Sequence, residues 1–129
     1  MRIAITNLPN APQPKGPYSS AVIAEGKFIF VSGQGPYDPA TGVLERGSIE
    51  EQTERTLKNI QAIVEAAGGR MANVVSCRVF LQSIDDETFA SMNRAYEKFF
   101  LTEPPTRTTI GCQLRNMDVE IDCIVLMAE

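Results

Sequence analysis

Near its C-terminal end the sequence reads DVEIDCIVLMA, residues 118–128. Successive residues of a strand point to opposite faces of its sheet. One face of this stretch carries Val119, Ile121, Cys123, Val125 and Met127. The other face carries Glu120, Asp122, Ile124 and Leu126. Because both faces are at least partly apolar, we predict a strand with two packing partners, helices on one side and another subunit on the other.

Two stretches with helical periodicity are predicted to supply the helices. The first helix begins after Ser48, because Ser48 and Glu51 form a capping-box pattern, and it ends at the glycine pair 68–69. Its buried face is predicted to carry Thr53, Leu57, Ile60, Val64 and Ala67. The second helix is predicted over residues 86–100, with one face formed by Phe89, Met92, Tyr96 and Phe99.

Five further segments are predicted to be extended. Residues 1–19 contain one short strand followed by an ordered arm. Residues 20–24 and 28–32 are β-type runs separated by Glu-Gly-Lys, which predicts a hairpin. Residues 74–82 read as a buried strand, and residues 107–113 as the strand before the last one.

The predicted order is β-β-β-α-β-α-β-β. It defines fold class α+β, with a mixed β-sheet and two helices packed on one face. The 129 residues are enough for one domain with a real core, and we assign residues 1–129 to a single domain. The uncovered, partly apolar face of the sheet is expected to make the protein oligomerise.

Composition excludes several classes of function. The formal net charge is -4, which argues against broad nucleic-acid binding. No apolar stretch approaches the length of a membrane span, and the first residues do not resemble a signal peptide. The three cysteines are widely spaced and the chain has no histidine, so neither a metal site nor a disulfide framework is expected. Reduced cysteines favour a cytoplasmic protein, with an organelle matrix as the alternative.

Two segments carry the candidate chemistry, PPTRTT (residues 104–109) and VEID (residues 119–122). The absence of histidine removes the usual side chain for proton transfer near neutral pH. Arg107 is suited to binding a carboxylate through two hydrogen bonds, and Glu120 is a carboxylate within an apolar strand. Together they indicate a small anionic substrate and an activated water. Without further information, Arg107 could equally be a surface arginine, and Glu120 a solvated residue or an intersubunit ion-pair partner.

Nine short motifs follow one another in the order typical of a known family. They are GPYS (16–19), FVSGQ (30–34), DPATG (38–42), EQT (51–53), LKNI (57–60), EAAG (65–68), NRAY (93–96), PTRTT (105–109) and VEID (119–122). Over nearly its whole length the chain resembles the RidA (YjgF) family. The resemblance implies a chorismate-mutase-like α+β fold and a homotrimer, whose three sheets face a central barrel and whose active sites lie between subunits.

The resemblance also implies an activity. Members of this family hydrolyse enamines and imines such as 2-aminoacrylate and 2-iminopropanoate to 2-keto acids and ammonia, without a cofactor or metal. By this resemblance Arg107 binds the substrate carboxylate, and Glu120 positions or activates water. Gly33 and Thr109 offer backbone groups near the imine. Tyr18, Ser32 and Asn93 line the pocket.

Two alternatives remain open. The connection over residues 113–117 is short and lacks the leucine-proline pair of many relatives, so the substrate could be a related enamine of pyrimidine-breakdown or aminomuconate type. A non-enzymatic role as ligand sensor, chaperone or translation inhibitor is the second alternative. Ribonuclease action is disfavoured, because the chain has no histidine and a negative net charge.

Overall fold

Eight helices and strands follow one another in the predicted order, and the computed structural model describes residues 1–127. They are β1 (Arg2–Ile5), β2 (Ala21–Ala24), β3 (Phe28–Gln34), α1 (Ile49–Ala66), β4 (Val74–Leu81), α2 (Asp86–Tyr96), β5 (Thr106–Gly111) and β6 (Val119–Leu126). Short 3-10 turns lie at Met71–Asn73 and Glu97–Phe99. The predicted order is thus confirmed, whereas residue 128, the predicted end of the last strand, lies outside the described residues.

A four-stranded mixed sheet with the order β3-β6-β4-β5 forms the centre of the fold. β6 pairs antiparallel with both β3 and β4, and β5 runs parallel to β4 along one edge. β1 and β2 form a separate antiparallel pair. The predicted mixed sheet is therefore confirmed, with β6 as an inner strand and β5 as an edge strand.

The predicted hairpin between residues 20–24 and 28–32 is wrong. β2 pairs with β1, and β3 pairs with β6. The linker lies against the end of β6: Met127 N donates to Lys27 O at 2.8 Å, and a Cβ on Gly26 would lie 3.0 Å from the Leu126 side chain. Pairing with the long apolar β6 buries more surface than a hairpin with the four-residue β2 would.

The two helices cover one face of the sheet, as predicted. The β6 residues on that face are buried, namely Val119, Ile121, Cys123 and Val125. On α1 the buried residues include Thr53, Leu57, Ile60 and Val64, whereas Ala67 is exposed. No helix formed by residues 1–127 lies on the opposite face, which we call the open face, and the Phe30 side chain there is 75% exposed. The chain alone thus leaves a partly apolar sheet face in solvent.

The helix ends follow from local hydrogen bonds. Both halves of the capping box are present at α1, with Glu51 N donating to Ser48 Oγ at 3.1 Å and Ser48 N donating to Glu51 Oε1 at 2.9 Å. Gly68, at φ +93°, follows the helix, as its sequence position predicts. α2 ends at Tyr96, and one 3-10 turn replaces the predicted continuation to residue 100. Neither helix of the described chain has the length and apolarity needed to cross a membrane.

Candidate active site

Arg107 lies in β5 and points toward α2. Its Nη1 donates to Asn93 Oδ1 at 2.7 Å. Its Cζ lies 5.0 Å from the ring centroid of Tyr96, 5.4 Å from that of Tyr18 and 5.5 Å from that of Phe89. Residues three and four apart share a helix face, so α2 can present Phe89, Asn93 and Tyr96 together. The guanidinium therefore sits within three aromatic rings, each close enough for a cation–π contact.

The charge of Arg107 has no carboxylate partner within residues 1–127, where the ion pairs involve other cations. The side chain is half-buried. Burial is the main cause that lowers the pKa of Arg107, and the neighbouring Tyr96, Tyr18 and Cys77 oppose the shift. A guanidinium nevertheless stays protonated near neutral pH. Because a partly desolvated charge is costly without a counter-ion, this arrangement suits the binding of an anion.

The arm before β2 carries Tyr18 to this place. Ser19 anchors the arm, because its N donates to Pro105 O at 3.1 Å and its Oγ donates to Pro104 O. The Tyr18 hydroxyl accepts from Lys15 N at 3.1 Å. The two prolines that precede Arg107 thus offer their carbonyl groups to the arm, which explains why Tyr18 and Arg107 meet across a long stretch of sequence.

Thr109 shares the face of β5 with Arg107, because the two are two residues apart in a strand. Its Oγ1 is buried and has no hydrogen-bond partner within the described chain. Buried hydroxyls are normally hydrogen-bonded, so this one, on the same strand face as Arg107, has an unused capacity for a hydrogen bond. The resemblance implies a role for backbone groups of Thr109 only, whereas the structure also shows that its hydroxyl is unpaired within residues 1–127.

Glu120 lies on the open face, against the backbone of Gly33. An ideal Cβ built on Gly33 would be 2.7 Å from Glu120 Oε2, so only glycine leaves room for the carboxylate in this position. β3 has a register shift between Val31 and Gln34, and such bulges occur next to active sites, where they redirect side chains. Ser32, in the same bulge, lines a concavity of about 470 Å³ on the open face.

The predicted site residues thus fall into two groups. Tyr18, Asn93, Arg107 and Thr109 form the first, and Ser32, Gly33 and Glu120 form the second. Arg107 pairs with Cys77 of β4, and Glu120 pairs with Phe80 of the same strand on its other side. Cys77 and Phe80 are three residues apart, and β5 and β6 are two strand spacings apart. The Cα atoms of Arg107 and Glu120 are therefore roughly 14 Å apart, and their side chains lie on opposite faces of the sheet. One chain therefore does not present both groups to one small molecule.

Phe89 and Tyr96 were predicted only as apolar residues on the packing face of α2, and the structure also places them around Arg107. Burial raises the pKa of Tyr96 well above its ordinary value. Its hydroxyl lies next to Cys77 without a hydrogen bond of normal geometry. Because its pKa is raised, the Tyr96 side chain stays neutral and contacts the guanidinium as an uncharged aromatic ring. Their spacing from Asn93 was the available signal, because a pocket-lining residue on a helix indicates that the residues three and four positions away lie nearby.

The α+β fold holds Arg107 inside a cage of aromatic rings, and no carboxylate of residues 1–127 forms an ion pair with it. These features define a protein suited to binding a small anion. The family model described as Endoribonuclease L-PSP matches residues 8–127. The chain belongs to this family, the YjgF/RidA family, which confirms the resemblance seen in the motifs.

Individual relatives agree with this assignment. A RutC family protein of Pyrococcus abyssi is 45% identical over 112 residues, covering 87% of this chain and 86% of the relative. A 2-iminobutanoate/2-iminopropanoate deaminase of Dermatophagoides farinae is 36% identical over 125 residues, covering 95% of each. The solved structure of RidA from the Antarctic bacterium Psychrobacter sp. is similar, with a TM-score of 0.72 and 32% identity over 95% of this chain and 98% of that one.

Proposed function

We propose that the protein is a cofactor-independent enamine/imine deaminase, which hydrolyses 2-aminoacrylate and 2-iminopropanoate-type intermediates to 2-keto acids and ammonia. The observation that carries the proposal is the caged guanidinium of Arg107. A planar guanidinium binds a carboxylate through two parallel hydrogen bonds, and a 2-imino acid has a carboxylate next to its reactive carbon. The similarity to a 2-iminobutanoate/2-iminopropanoate deaminase supports the same substrate class.

The proposed chemistry uses few groups. 2-Aminoacrylate first tautomerises to 2-iminopropanoate, with a proton gained at C3 and one lost from nitrogen. Water then adds to the imine carbon, the C–N bond of the resulting carbinolamine breaks, and the products are ammonia and a 2-keto acid. Glu120 accepts one proton from the attacking water and later the hydroxyl proton of the carbinolamine, and it passes each of them to the nitrogen. Both water protons thus end on ammonia, and Glu120 is unchanged at the end of the cycle. An imine carbon is already electrophilic, so orientation and electrostatic stabilisation can supply most of the acceleration.

The separation of Arg107 from Glu120 supports a site shared between subunits. Arg107 lies in the edge strand β5, and Glu120 lies on the open, partly apolar sheet face. An assembly in which the open face of one copy meets the β5 edge of the next would bring the two groups together. We propose the homotrimer that family resemblance implies, since a closed ring of head-to-tail contacts joins unlike surfaces in this way.

RNA cleavage, which the description of the family model names, is the less favoured function. The chain has no histidine, and its net charge of -4 does not suit a polyanion. RNA cleavage that co-purified with the protein and disappeared in Glu120→Gln would favour it instead.

An imine-quench assay tests the proposal. An amino-acid oxidase generates a 2-imino acid, semicarbazide traps what survives, and the protein is added in catalytic amounts. The wild type is expected to lower the amount of trapped product in proportion to its concentration. Imines with methyl, ethyl and larger side chains, together with an aminoacrylate and an aminomuconate-type enamine, separate the proposed substrate class from related enamines. No effect on any of them would contradict the proposal and favour a binding role.

Mixing two inactive variants tests the shared site. Arg107→Ala and Glu120→Gln proteins, unfolded and refolded together in equal amounts, are expected to regain about a quarter of wild-type activity, because random assembly pairs an intact Arg107 with an intact Glu120 in about one site in four. Each variant refolded alone is the control. If the mixture stays as inactive as its parts, the two residues do not meet across an interface.

Gly33→Ala is expected to lower kcat by about tenfold to a hundredfold, because the added Cβ would displace the Glu120 carboxylate from the reacting atoms. The displaced atoms end a flexible side chain, so the free energy of unfolding should change by less than about 1 kcal/mol. Steady-state kinetics and thermal unfolding measure both effects. Glu120→Asp shortens the side chain at position 120, so its carboxylate no longer reaches the place that the new Cβ would occupy. Gly33→Ala combined with Glu120→Asp should therefore lose no more activity than Glu120→Asp alone. A Gly33→Ala protein with wild-type kcat would contradict the steric account.

A further inference from the structure

Gln52 is a polar side chain in the first turn of α1 and is only 3% exposed. Its Nε2 donates to Asp118 Oδ2 at 2.8 Å and to Gly47 O at 3.1 Å, and its Oε1 accepts from Asp118 N at 3.0 Å. Burying an amide costs free energy unless it is hydrogen-bonded, and all three of these bonds are made. Gln52 therefore connects α1 to the residue that precedes β6.

Asp118 is held at three of its atoms. Its backbone N and one carboxylate oxygen bond to Gln52, and its carbonyl oxygen accepts from Gln82 N at 3.0 Å. Glu120 is only two residues further along the chain. These hydrogen bonds thus hold the residue that directly precedes β6.

The position of the Glu120 carboxylate depends on how the first residues of β6 are rotated. Its neighbours Val119 and Ile121 are fully buried under the helices, and Glu120 projects between them to the opposite face, where it lies against Gly33. A small twist at the start of β6 would swing the carboxylate away from Gly33. Gln52 belongs to a helix on the other side of the sheet, and its hydrogen bonds to Asp118 link it to the start of the strand that carries Glu120.

We propose that Gln52 is a positioning residue for Glu120. Its amide holds Asp118, and Asp118 sets the start of β6 so that the Glu120 carboxylate is aimed at the reacting atoms. The inference rests on the proposed function, because it needs Glu120 to act on the substrate.

The central test is Gln52→Glu. Near neutral pH this change places a second carboxylate against that of Asp118, which like-charge repulsion opposes. A displaced catalytic group costs about tenfold to a hundredfold in kcat, and this loss is expected here. The KM for a carboxylate-bearing imine should stay within about twofold, because Arg107 and its cage lie elsewhere. Gln61→Glu is the matched control, since Gln61 Nε2 donates to Glu65 Oε2 at 3.3 Å on an exposed part of the same helix.

Inverting the pair provides a rescue. In Gln52→Glu combined with Asp118→Asn, the new asparagine amide can donate to the new glutamate, and the N–H of residue 118 keeps its acceptor. We expect kcat to recover at least about fivefold over Gln52→Glu, the coupling that contacting residues show. Gln52→Met keeps the volume but makes none of the three hydrogen bonds. It should lose kcat to a similar extent, and it serves if the glutamate variant does not fold.

The outcomes separate this inference from the proposed function. A wild-type protein without activity on any imine contradicts the proposed function. An active wild type, together with unchanged kcat in Gln52→Glu or Gln52→Met, overturns the positioning role alone. So does a loss in Gln52→Glu that the inverted pair fails to recover, because the effect would then not pass through Asp118.

Discussion

Arg107→Ala is expected to lower kcat/KM for carboxylate-bearing imines by about a hundredfold to ten-thousandfold. Two hydrogen bonds to a charged group contribute about 3–6 kcal/mol together, and each 1.4 kcal/mol corresponds to about a factor of ten. The cage of Tyr18, Phe89 and Tyr96 excludes water from part of the guanidinium, so solvent cannot readily replace the lost contact. Steady-state kinetics in the imine-quench assay measures the effect.

Two further variants and a modified substrate test whether the loss comes from carboxylate binding by Arg107. Arg107→Lys keeps the charge but not the planar pair of donors, so it should be intermediate between wild type and Arg107→Ala. Arg70→Ala removes an exposed arginine far from β5 in sequence and should behave as wild type. A substrate whose carboxylate is esterified should react equally slowly with wild type and Arg107→Ala. Equal kcat/KM for the free acid in both proteins would contradict the assigned role.

Glu120→Gln is expected to lower kcat by about a hundredfold to ten-thousandfold, the usual range for a lost general acid–base group. The KM should change little, because binding of the carboxylate is assigned to Arg107. Glutamine has the shape of glutamate and fits against Gly33, so the melting temperature should be unchanged. Steady-state kinetics on the wild type and the variant measures kcat and KM, and thermal unfolding measures the melting temperature.

Glu54→Gln is the matched control for this change, because Glu54 pairs with Lys58 on α1 and lies outside both groups of site residues. It should retain wild-type kcat. If Glu120→Gln kept wild-type kcat, then water activation would have to come from another group, and Glu120 would not belong to the site.

The features that could be predicted from the sequence are those governed by neighbours along the chain. The capping box of Ser48 and Glu51 spans four residues, and the buried stripe of α1 repeats every three or four. The alternation of Val119, Glu120, Ile121 and Asp122 likewise separates the faces of β6. Because these signals act over one or two turns, or between alternate residues, the sequence pattern alone identifies them.

The hairpin prediction was wrong because the pairing of β3 is decided by residues far away along the chain. A short polar linker between two β-type runs favours local pairing, but β3 instead pairs with β6, about ninety residues later along the chain. No local signal distinguishes these outcomes, since the choice depends on which pairing buries more apolar surface in the completed sheet. The same applies to the bulge in β3, which places Gly33 against Glu120.

In the candidate site, too, some features could be predicted from the sequence and others depended on tertiary packing. Its residue types came from motifs, so Arg107, Glu120 and the lining residues could be named from the sequence and the family resemblance. The closure of the rings around Arg107 and the Gln52–Asp118 connection could not, because each joins side chains from segments that only folding brings together. The placement of Arg107 and Glu120 on opposite faces is also a tertiary result. Local order along the chain specifies the helices and strand faces, whereas burial in the assembled sheet decides which of those faces meet.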